Sequence, residues 1–439
     1  MIVVSPLQQS PLPVGDIPSY VFGAAEQHMD DVALVDAGTR QQLTASDIYV
    51  TATRLAAGLT RCGYGGRAIS ALVDTELRCV YVYYAALMAG GTCQSLCPDM
   101  PAAGLRSCIE RSCTPVVFTT SSRVEQLRAA CCGLDVAVYV LDDACGGDGC
   151  SSGCLSFMHL LVDDPAFVPV RITTRSEAIA KPAFLAYTPG PRDVLRPLTL
   201  THYGLLSWCR IARRPAPEAQ RRVAVSAMPL SGSCGIANIA QFPILSGSCV
   251  VQMRAFSPVA CLTALEEWRA DSLLATHDVL TAIAADASRG ASGRVFAGGC
   301  SFDLSALQAV YTHVLRGPNS FKDKVTSLLG ARLVELYGYA ETGIIAGVIT
   351  EYPRVDGSVG LLCPGVSARV VLDGKDVDEG RFGEILVTTP RLASVTGDAE
   401  YFPTGDYGTV TREGIVVVKS RMCDVLRLGD GSVVASQRN

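Results

Sequence analysis

Two segments in the second half of the chain place carboxylates beside aromatic, glycine and arginine residues that suit a nucleotide. Glu341 closes the run Tyr337–Glu341, and its carboxylate oxygens are the ligands that Mg²⁺ prefers. Asp406 follows a Thr-Gly pair and can accept hydrogen bonds from a ribose diol, while Arg421 can donate to ribose or phosphate. A single carboxylate such as Glu341 or Asp406 is more often a solvated loop residue, and a single arginine more often lies on the surface. The interpretation as a binding site therefore depends on the three residues occurring together.

A glycine-containing segment earlier in the chain could cradle a phosphate. Residues 187–197 include Thr188, Gly190 and Arg196, follow an apolar run and precede a helix candidate that begins near His202. A loop between a strand and a helix can direct backbone N–H groups at a phosphate. The alternative is an ordinary proline-rich turn.

A pair of adjacent glycines, Gly298 and Gly299, follows the strand-like residues 294–296 and precedes Cys300. Because glycine has no Cβ, such a pair lets another backbone or a flat ligand approach closely. A simple turn is again the alternative.

The composition excludes several classes of protein. The chain has 439 residues, 49% hydrophobic and 18% charged, which is enough apolar material for a large core and too little charge for a disordered protein. A net charge of -5 without a long basic run argues against nucleic acid as the main partner. No uncharged apolar stretch reaches the ~18 residues of a spanning helix, and residues 1–19 lack the charged start of a secretory signal. We therefore expect a cytoplasmic protein with no membrane span.

The 18 cysteines could belong to a metal site or to the core. Cys145, Cys150 and Cys154 lie near His159, but their spacing is irregular and no CxxC pair occurs. Most other cysteines have apolar neighbours, and free cysteine packs as a small hydrophobe. We expect reduced, structural thiols.

Apolar periodicity predicts alternating strands and helices in the first half of the chain. One helix is expected from Thr44 to Leu59, with Gly63 as its stop, and another from Glu76 to Met88. Strands that alternate with helices imply βαβ units and a mostly parallel sheet. The expected strands are Val32–Val35, Ala68–Val73, Val116–Thr119, Val136–Leu141 and Ala183–Ala186.

The pattern changes from about residue 355 to 418. Short β-branched runs such as Ala368–Leu372 and Glu384–Val387 alternate with turns such as Asp373-Gly374. This alternation predicts a small antiparallel barrel or sheet.

Together, the order and spacing of these segments resemble the adenylate-forming superfamily of acyl- and aryl-CoA synthetases, fatty acyl-AMP ligases and peptide-synthetase adenylation domains. The resemblance implies an α/β fold, the acyl-CoA synthetase-like large domain, with two αβαβα-type subdomains plus a small β-barrel. The expected boundaries are a large domain over 1–420, with subdomains at 20–177, 178–352 and 353–420, and a hinge over 421–439. Other family-like segments are Leu55–Leu59, Tyr84–Gly91, Gly357–Gly360, Pro364-Gly365 and Gly383–Val387.

The resemblance also implies a role for each candidate residue. Tyr337 would stack on adenine, Asp406 and Arg421 would hold the ribose, and Glu341 would contact Mg²⁺ and phosphate. Thr188 and Arg196 would join Glu341 as catalytic residues. The other nucleotide-binding positions would be Gly190, Gly298, Gly299, Gly338 and Ala340, and the acid pocket would include Ser231, Gly235 and Cys300.

The phosphate loop departs from the family pattern. Pro189 and Pro191 replace hydroxyl residues, Asp193 stands at a glycine position and Arg196 replaces a lysine. Each proline removes a backbone donor, and Asp193 adds negative charge near phosphates. We expect weaker pyrophosphate handling.

A second departure concerns the end of the chain. The family's small C-terminal domain begins at a hinge, here marked by Asp424, and carries a lysine that reaches the reacting carboxylate. Because the chain stops at Asn439, we expect it to lack that domain and lysine. It would then be a truncated chain, a natural short homologue, or a protein that acts with a separate C-terminal domain.

The implied activity is ATP-dependent activation of a carboxylic acid to an acyl-adenylate with release of pyrophosphate. No acidic residue occurs between Ser226 and Val251, which disfavours an α-amino acid and leaves an aryl or fatty acid. ATP and Mg²⁺ would be required, and CoA or a phosphopantetheinyl carrier protein would be the acceptor. The alternative is a catalytically weakened pseudoenzyme that binds nucleotide or an acyl ligand for regulation or assembly.

Overall fold

Helices and strands alternate through the first half of the chain and give way to successive strands near its end. The computed structural model describes residues 2–7, 12–142, 154–189, 195–212, 222–232, 235–313, 319–347, 357–392, 401–427 and 433–435. The helices are α1 Ile17–Ala24, α2 Ala45–Arg61, α3 Cys79–Met88, α4 Ala102–Ser112, α5 Val124–Cys131, α6 Arg175–Ala180, α7 His202–Ala212, α8 Phe242–Ser246, α9 Pro258–Glu267, α10 His277–Asp286 and α11 Asn319–Leu329.

The strands are short, and the longest have eight or nine residues. They are β1 Ile2–Val4, β2 Val32–Asp36, β3 Gln42–Thr44, β4 Ala68–Leu72, β5 Thr92–Leu96, β6 Val116–Thr119, β7 Ala137–Val140, β8 Leu155–Ser156, β9 Pro182–Pro189, β10 Leu195–Thr201, β11 Val223–Ser226, β12 Cys249–Gln252, β13 Ser272–Leu274, β14 Ser288–Arg289, β15 Val295–Ala297, β16 Cys300–Phe302, β17 Ala309–His313, β18 Arg332–Tyr339, β19 Gly343–Gly347, β20 Ser358–Leu362, β21 Ser367–Leu372, β22 Lys375–Asp376, β23 Gly383–Thr388, β24 Phe402–Val410, β25 Ile415–Arg421, β26 Val425–Arg427 and β27 Val433–Ala435.

The helix α2 has both of its ends specified by local sequence. The Thr44 hydroxyl accepts a hydrogen bond from the Asp47 N–H at 3.0 Å, and the Asp47 carboxylate accepts one from the Thr44 N–H at 2.9 Å. This capping box satisfies two donors that the first helical turn leaves without partners. Gly63, with φ of +76°, follows the last turn. The predicted helix is confirmed and extends to Arg61.

The helix α3 begins three residues later than predicted. Glu76 accepts a hydrogen bond from the Arg78 N–H at 3.2 Å, a local side-chain contact of the kind that competes with helical bonding. Every residue from Cys79 to Met88 is buried. A helix that is apolar on all sides is buried on all sides, so α3 lies inside the protein.

Contacts divide the chain into two compact units. The amino-terminal unit comprises residues 13–223 and 228–255. Its main sheet has the order β10-β9-β5-β4-β6-β7-β8. All neighbouring strands from β9 across to β8 pair in parallel, and β10 pairs antiparallel with β9. The helices α3, α4 and α5 connect successive parallel strands, which confirms the predicted βαβ units. In the same unit β12 pairs parallel with β2, and β3 pairs antiparallel with β2.

The carboxyl-terminal unit comprises residues 1–12, 224–227 and 256–439. Here β11, β13, β17 and β18 are parallel neighbours. The sheet continues through β19, β20, β25, β24, β23 and β21 by antiparallel pairing, with β1 beside β21. The antiparallel pattern predicted for residues 355–418 is therefore confirmed.

The overall class is mixed α/β, as predicted. The three-part division at residues 177 and 352 and the hinge at 421–439 stay predictions. Among the described helices, none is both long and apolar enough to cross a membrane.

Candidate functional site

The β18–β19 hairpin positions the two tyrosines of the candidate site. Tyr337 and Tyr339 are two residues apart on β18, so their side chains leave the same face of the strand. Gly338 lies between them, and a Cβ at this position would come within 2.1 Å of the Gly343 carbonyl oxygen. Glycine is therefore required for the close pairing of the two strands.

Asp406 and Arg421 lie directly opposite each other on β24 and β25. Gly405 takes a positive φ of +67° immediately before the carboxylate, and the Asp406 N–H donates to the Thr404 hydroxyl at 3.1 Å. Antiparallel pairing of these consecutive strands thus brings together a carboxylate and a guanidinium that are 15 residues apart in the chain. The Arg421 Nη1 donates to Asp406 Oδ1 at 3.0 Å.

Asp406 is fully buried and accepts hydrogen bonds from both tyrosines. The Tyr337 hydroxyl donates to Asp406 Oδ2 at 2.9 Å, and the Tyr339 hydroxyl donates to the same oxygen. Burial raises the pKa of Tyr337, and the neighbouring Asp406 raises it further, so Tyr337 stays a donor throughout the physiological pH range. The result is a buried carboxylate held between one guanidinium and two phenols.

Arg421 also bonds to groups other than Asp406. Its Nη1 donates to the Thr404 carbonyl at 2.9 Å and to the Tyr339 hydroxyl at 2.6 Å. Burial opposes the charge on Arg421 and is the largest single effect, but the hydrogen bond to Asp406 together with the charges of Tyr339 and Asp406 outweighs it, so the pKa of the guanidinium is raised. The hydroxyl groups of a vicinal diol can donate hydrogen bonds to a carboxylate and accept them from a guanidinium, so Asp406 and Arg421 together suit a diol.

The other predicted nucleotide-binding residues of this unit lie on hairpin turns. Ala340 and Glu341 are half-buried in the turn between β18 and β19. Gly298 and Gly299 form the two-residue turn between β15 and β16, with φ of +56° and +78°. A turn with positive φ at both positions strongly favours glycine, so the hairpin by itself explains this pair.

The structure places the remaining predicted residues as follows. In the amino-terminal unit, Thr188 on β9 pairs in register with Arg196 on β10, and Gly190 lies outside the described residues. Ser231 is half-buried and its carbonyl accepts from the Ser95 hydroxyl at 2.7 Å. In the carboxyl-terminal unit, Cys300 is exposed on β16.

Gly235 has a structural explanation that does not involve a ligand. A Cβ there would come within 2.4 Å of the Pro229 carbonyl oxygen, so two stretches of backbone approach closely at this point. Its role in an acid pocket stays a prediction.

Within the described part of the chain, no group of three or more His, Cys, Asp or Glu side chains could hold a metal. Cys145 and Cys150, two of the three cysteines considered for zinc, lie outside the described residues. The assignment of Glu341 to Mg²⁺ stays a prediction.

Sequence reasoning missed Tyr339 as a functional residue. Its signal was available, because it follows Tyr337 at the spacing that puts two strand residues on one face. What the sequence did not contain was the position of Asp406, whose carboxylate both hydroxyls reach.

Sequence reasoning also missed a charged cavity of about 460 Å³ in the amino-terminal unit. Arg254 donates to the buried Asp36 and, at 3.1 Å, to the buried Glu76. Burial would raise the pKa of Asp36, but hydrogen bonds from the Thr39 N–H and Arg254 outweigh it and lower the pKa. These charges stabilise one another. The cavity is lined by Thr39, Gln41, Glu76, Arg78, Asp142 and Arg254.

Comparison with known proteins gives the family and agrees with the fold. The sequence pattern of the family described as AMP-binding enzyme matches residues 21–395. The 4-coumarate–CoA ligase 2 of Oryza sativa subsp. japonica is 24% identical over 95% of this chain and 78% of its own length.

Two solved structures share the fold at low identity. The luciferase-like enzyme of the mealworm Zophobas morio aligns with a TM-score of 0.81 and 18% identity, over 96% of this chain and 99% of that one. A long-chain-fatty-acid–CoA ligase from Archaeoglobus fulgidus aligns with a TM-score of 0.79 and 17% identity, over 94% and 86%.

Proposed function

We propose that this chain, which belongs to the AMP-binding enzyme family, uses ATP to activate a carboxylic acid as an acyl-adenylate. In this reaction a carboxylate oxygen of the acid attacks the α-phosphorus of ATP. The bond from the α-phosphorus to the bridging oxygen breaks, and pyrophosphate leaves with that electron pair. Such catalysis consists mainly of positioning the reactants and stabilising developing charge.

The observation that carries the proposal is the buried Asp406 beside Arg421 and Tyr337. An ionised carboxylate accepts hydrogen bonds from hydroxyl groups, and the adjacent guanidinium can donate to a hydroxyl oxygen, so the pair suits a ribose diol. Holding the ribose in this way would fix the α-phosphate relative to the acid. Tyr337, which is adjacent, would contact the adenine.

The triphosphate would be bound by other residues. Thr188 and Arg196, which are paired across β9 and β10, would contact the phosphates. Glu341 would hold Mg²⁺, which would supply positive charge to the departing pyrophosphate. Arg196 stands where the family pattern has a lysine, and its guanidinium keeps a positive charge for contact with the phosphates.

For the acid, we propose an aryl or fatty carboxylate. No acidic residue between Ser226 and Val251 is available to pair with the ammonium of an α-amino acid. The names of the rice and archaeal relatives refer to 4-coumarate and to a long-chain fatty acid. Because both of those relatives are CoA ligases, CoA is the first acceptor to test, ahead of a phosphopantetheinyl carrier protein.

A second candidate is a nucleotide-binding protein with little or no catalysis. It is favoured by Pro189, Pro191 and Asp193, which remove backbone donors and add negative charge at the proposed phosphate contact. Binding of nucleotide would then serve regulation or assembly.

ATP–pyrophosphate exchange with a panel of aryl and fatty acids distinguishes the two candidates. Exchange that depends on one class of acid supports the ligase. ATP binding, seen as a thermal shift, without exchange for any acid supports the second candidate. If neither exchange nor an ATP-dependent shift occurs, both are wrong.

The variant Asp406→Ala tests the site itself. We expect it to lose ATP binding by about 100-fold or more, because the ribose acceptor is removed and Arg421 loses its partner. Asp376→Ala is the matched control, since that carboxylate forms a partly exposed ion pair with Arg369 in the same unit. Equal affinity in wild type and Asp406→Ala would contradict the assignment.

A further inference from the structure

Tyr339 places its hydroxyl between the two groups that the proposed function assigns to the ribose. The hydroxyl donates to Asp406 Oδ2 and accepts from Arg421 Nη1 at 2.6 Å. A hydroxyl that donates to a carboxylate while accepting from a guanidinium has the bonding pattern that a bound ribose hydroxyl would have there.

With Tyr339 in this position, Asp406 has little capacity left for a ligand. Its Oδ2 accepts from Tyr337 and Tyr339, and its Oδ1 accepts from Arg421. The side chain is 0% exposed. A ribose diol can therefore reach Asp406 only after one of its present partners has moved.

Of these partners, Tyr339 is the one that is placed to move. It is the last residue of β18, directly before the turn, and its side chain is half-buried. Tyr337 is 3% exposed and lies deeper in the strand. Arg421 is held by the Thr404 carbonyl in addition to Asp406.

Tyr339 has two aromatic rings and one guanidinium near its own ring. Its ring centroid is 6.0 Å from that of Tyr337 and 6.2 Å from that of Phe402, and the Arg421 guanidinium lies 5.6 Å from it. Ring contacts of this kind are worth little beyond the area they bury. The hydrogen bonds of the Tyr339 hydroxyl with Asp406 and Arg421 hold the side chain more strongly than the ring contacts do.

We propose that Tyr339 occupies the ribose position in the nucleotide-free protein and competes with nucleotide for Asp406 and Arg421. This inference rests on the proposed nucleotide site. Nucleotide affinity would then be limited by displacement of one phenol hydroxyl. Tyr339 would satisfy the buried carboxylate whenever nucleotide is absent.

The test compares AMP binding, by titration calorimetry, to wild type, Tyr339→Phe and Tyr337→Phe. Tyr339→Phe removes only the competing hydroxyl, so AMP should bind about tenfold more tightly, the equivalent of one net hydrogen bond. Tyr337→Phe removes the other hydroxyl that donates to Asp406 Oδ2. Because Tyr337 is buried and does not compete with nucleotide in this proposal, the variant should leave AMP affinity unchanged or lower it.

The stability of the nucleotide-free protein supplies a second measurement. Tyr339→Phe should lower the melting temperature without AMP, because Asp406 and Arg421 lose a shared partner, yet AMP should raise that temperature more than in wild type. A residue that merely supports the site would lower both stability and affinity. Tyr339→Leu, which removes the phenol ring as well, should follow Tyr339→Phe in affinity.

The outcomes separate this inference from the proposed function. If AMP binds wild type and Tyr339→Phe equally, or binds Tyr339→Phe more weakly, Tyr339 is not a competitor and the inference fails while the nucleotide site stands. If folded wild type, Tyr339→Phe and Tyr339→Leu all fail to bind AMP, the nucleotide site and the inference are both wrong.

Discussion

At the scale of single residues, Asp406 and His202 are buried polar side chains whose partners come from other elements of the chain. Asp406 is bonded by Tyr337 and Arg421. His202 is buried, and its Nδ1 accepts from the Ile17 N–H at 3.2 Å. Because water cannot replace these partners, a change of protonation or of residue at such a position acts directly on stability.

His202 should make the protein less stable in mild acid. Burial is the main reason that the pKa of His202 falls to about 4; nearby Asp16 opposes the shift and Lys181 adds to it, whereas the unfolded chain titrates near the ordinary 6.5. As the pH falls from 6.5 to 4 the unfolded state therefore binds a proton that the folded state does not. The free energy of unfolding should fall by about 3 kcal/mol over this range. Urea unfolding at several pH values measures it.

The control variants for this prediction are His202→Asn, which keeps an acceptor near the Nδ1 position, and His159→Asn, which removes an exposed histidine. His202→Asn should flatten the pH dependence between 6.5 and 4, while His159→Asn should keep the wild-type slope. An unchanged slope in His202→Asn would assign the pH dependence to other groups.

At the scale of elements, hairpins set the positions of the site residues. The β15–β16 hairpin requires positive φ at Gly298 and Gly299, and the β18–β19 hairpin requires close backbone approach at Gly338. The register of β24 with β25 places Asp406 opposite Arg421. The local geometry of the β18–β19 and β24–β25 hairpins therefore decides whether the carboxylate, the guanidinium and the phenols meet.

Gly338→Ala should disrupt the site through the hairpin. The added Cβ would come within 2.1 Å of the Gly343 carbonyl oxygen, so β18 and β19 must separate and carry Tyr337 and Tyr339 with them. We expect a loss of about 3 kcal/mol or more in the free energy of unfolding, together with weaker AMP binding. Urea unfolding and calorimetry measure the two effects.

Gly374→Ala is the matched control, because Gly374 has a φ of +74° and no atom within 4 Å of an added Cβ. Its cost should be limited to backbone strain of about 1–2 kcal/mol, with AMP affinity kept. Similar effects of the two variants on AMP affinity would show that the β18–β19 hairpin has no particular role in the site.

At the scale of the whole molecule, burial should sort the cysteines by reactivity. Burial raises the pKa of Cys93 and of Cys261 to about 12, so these thiols stay protonated and out of reach. Cys62 and Cys300 are exposed. A maleimide followed by peptide mass spectrometry should modify the exposed pair in the native protein and the buried pair after unfolding in urea. Modification of Cys93 at the rate of Cys62 in the native protein would contradict the buried core.

The class of fold, several helices and strands, and the family could be predicted from the sequence alone. The apolar periodicity of α2, the apolar run of α3 and the β-branched runs after residue 355 are local patterns, and the structure confirms the elements they predict, with α3 beginning at Cys79. The family followed from the order of motifs, and the match over residues 21–395 confirms it. Local patterns succeed here because helices and strands depend on periodicity and capping within a few residues.

Only the tertiary structure decided which side chains meet. Register between β24 and β25 pairs Asp406 with Arg421, and the β18 face adds Tyr337 and Tyr339. The spacing of Tyr339 from Tyr337 puts both tyrosines on one face of β18, but neither their contact with Asp406 nor the pairing of Asp36 with Arg254 is visible in the sequence. These contacts join residues far apart in the chain, and their geometry depends on strand pairing, so no local pattern contains it.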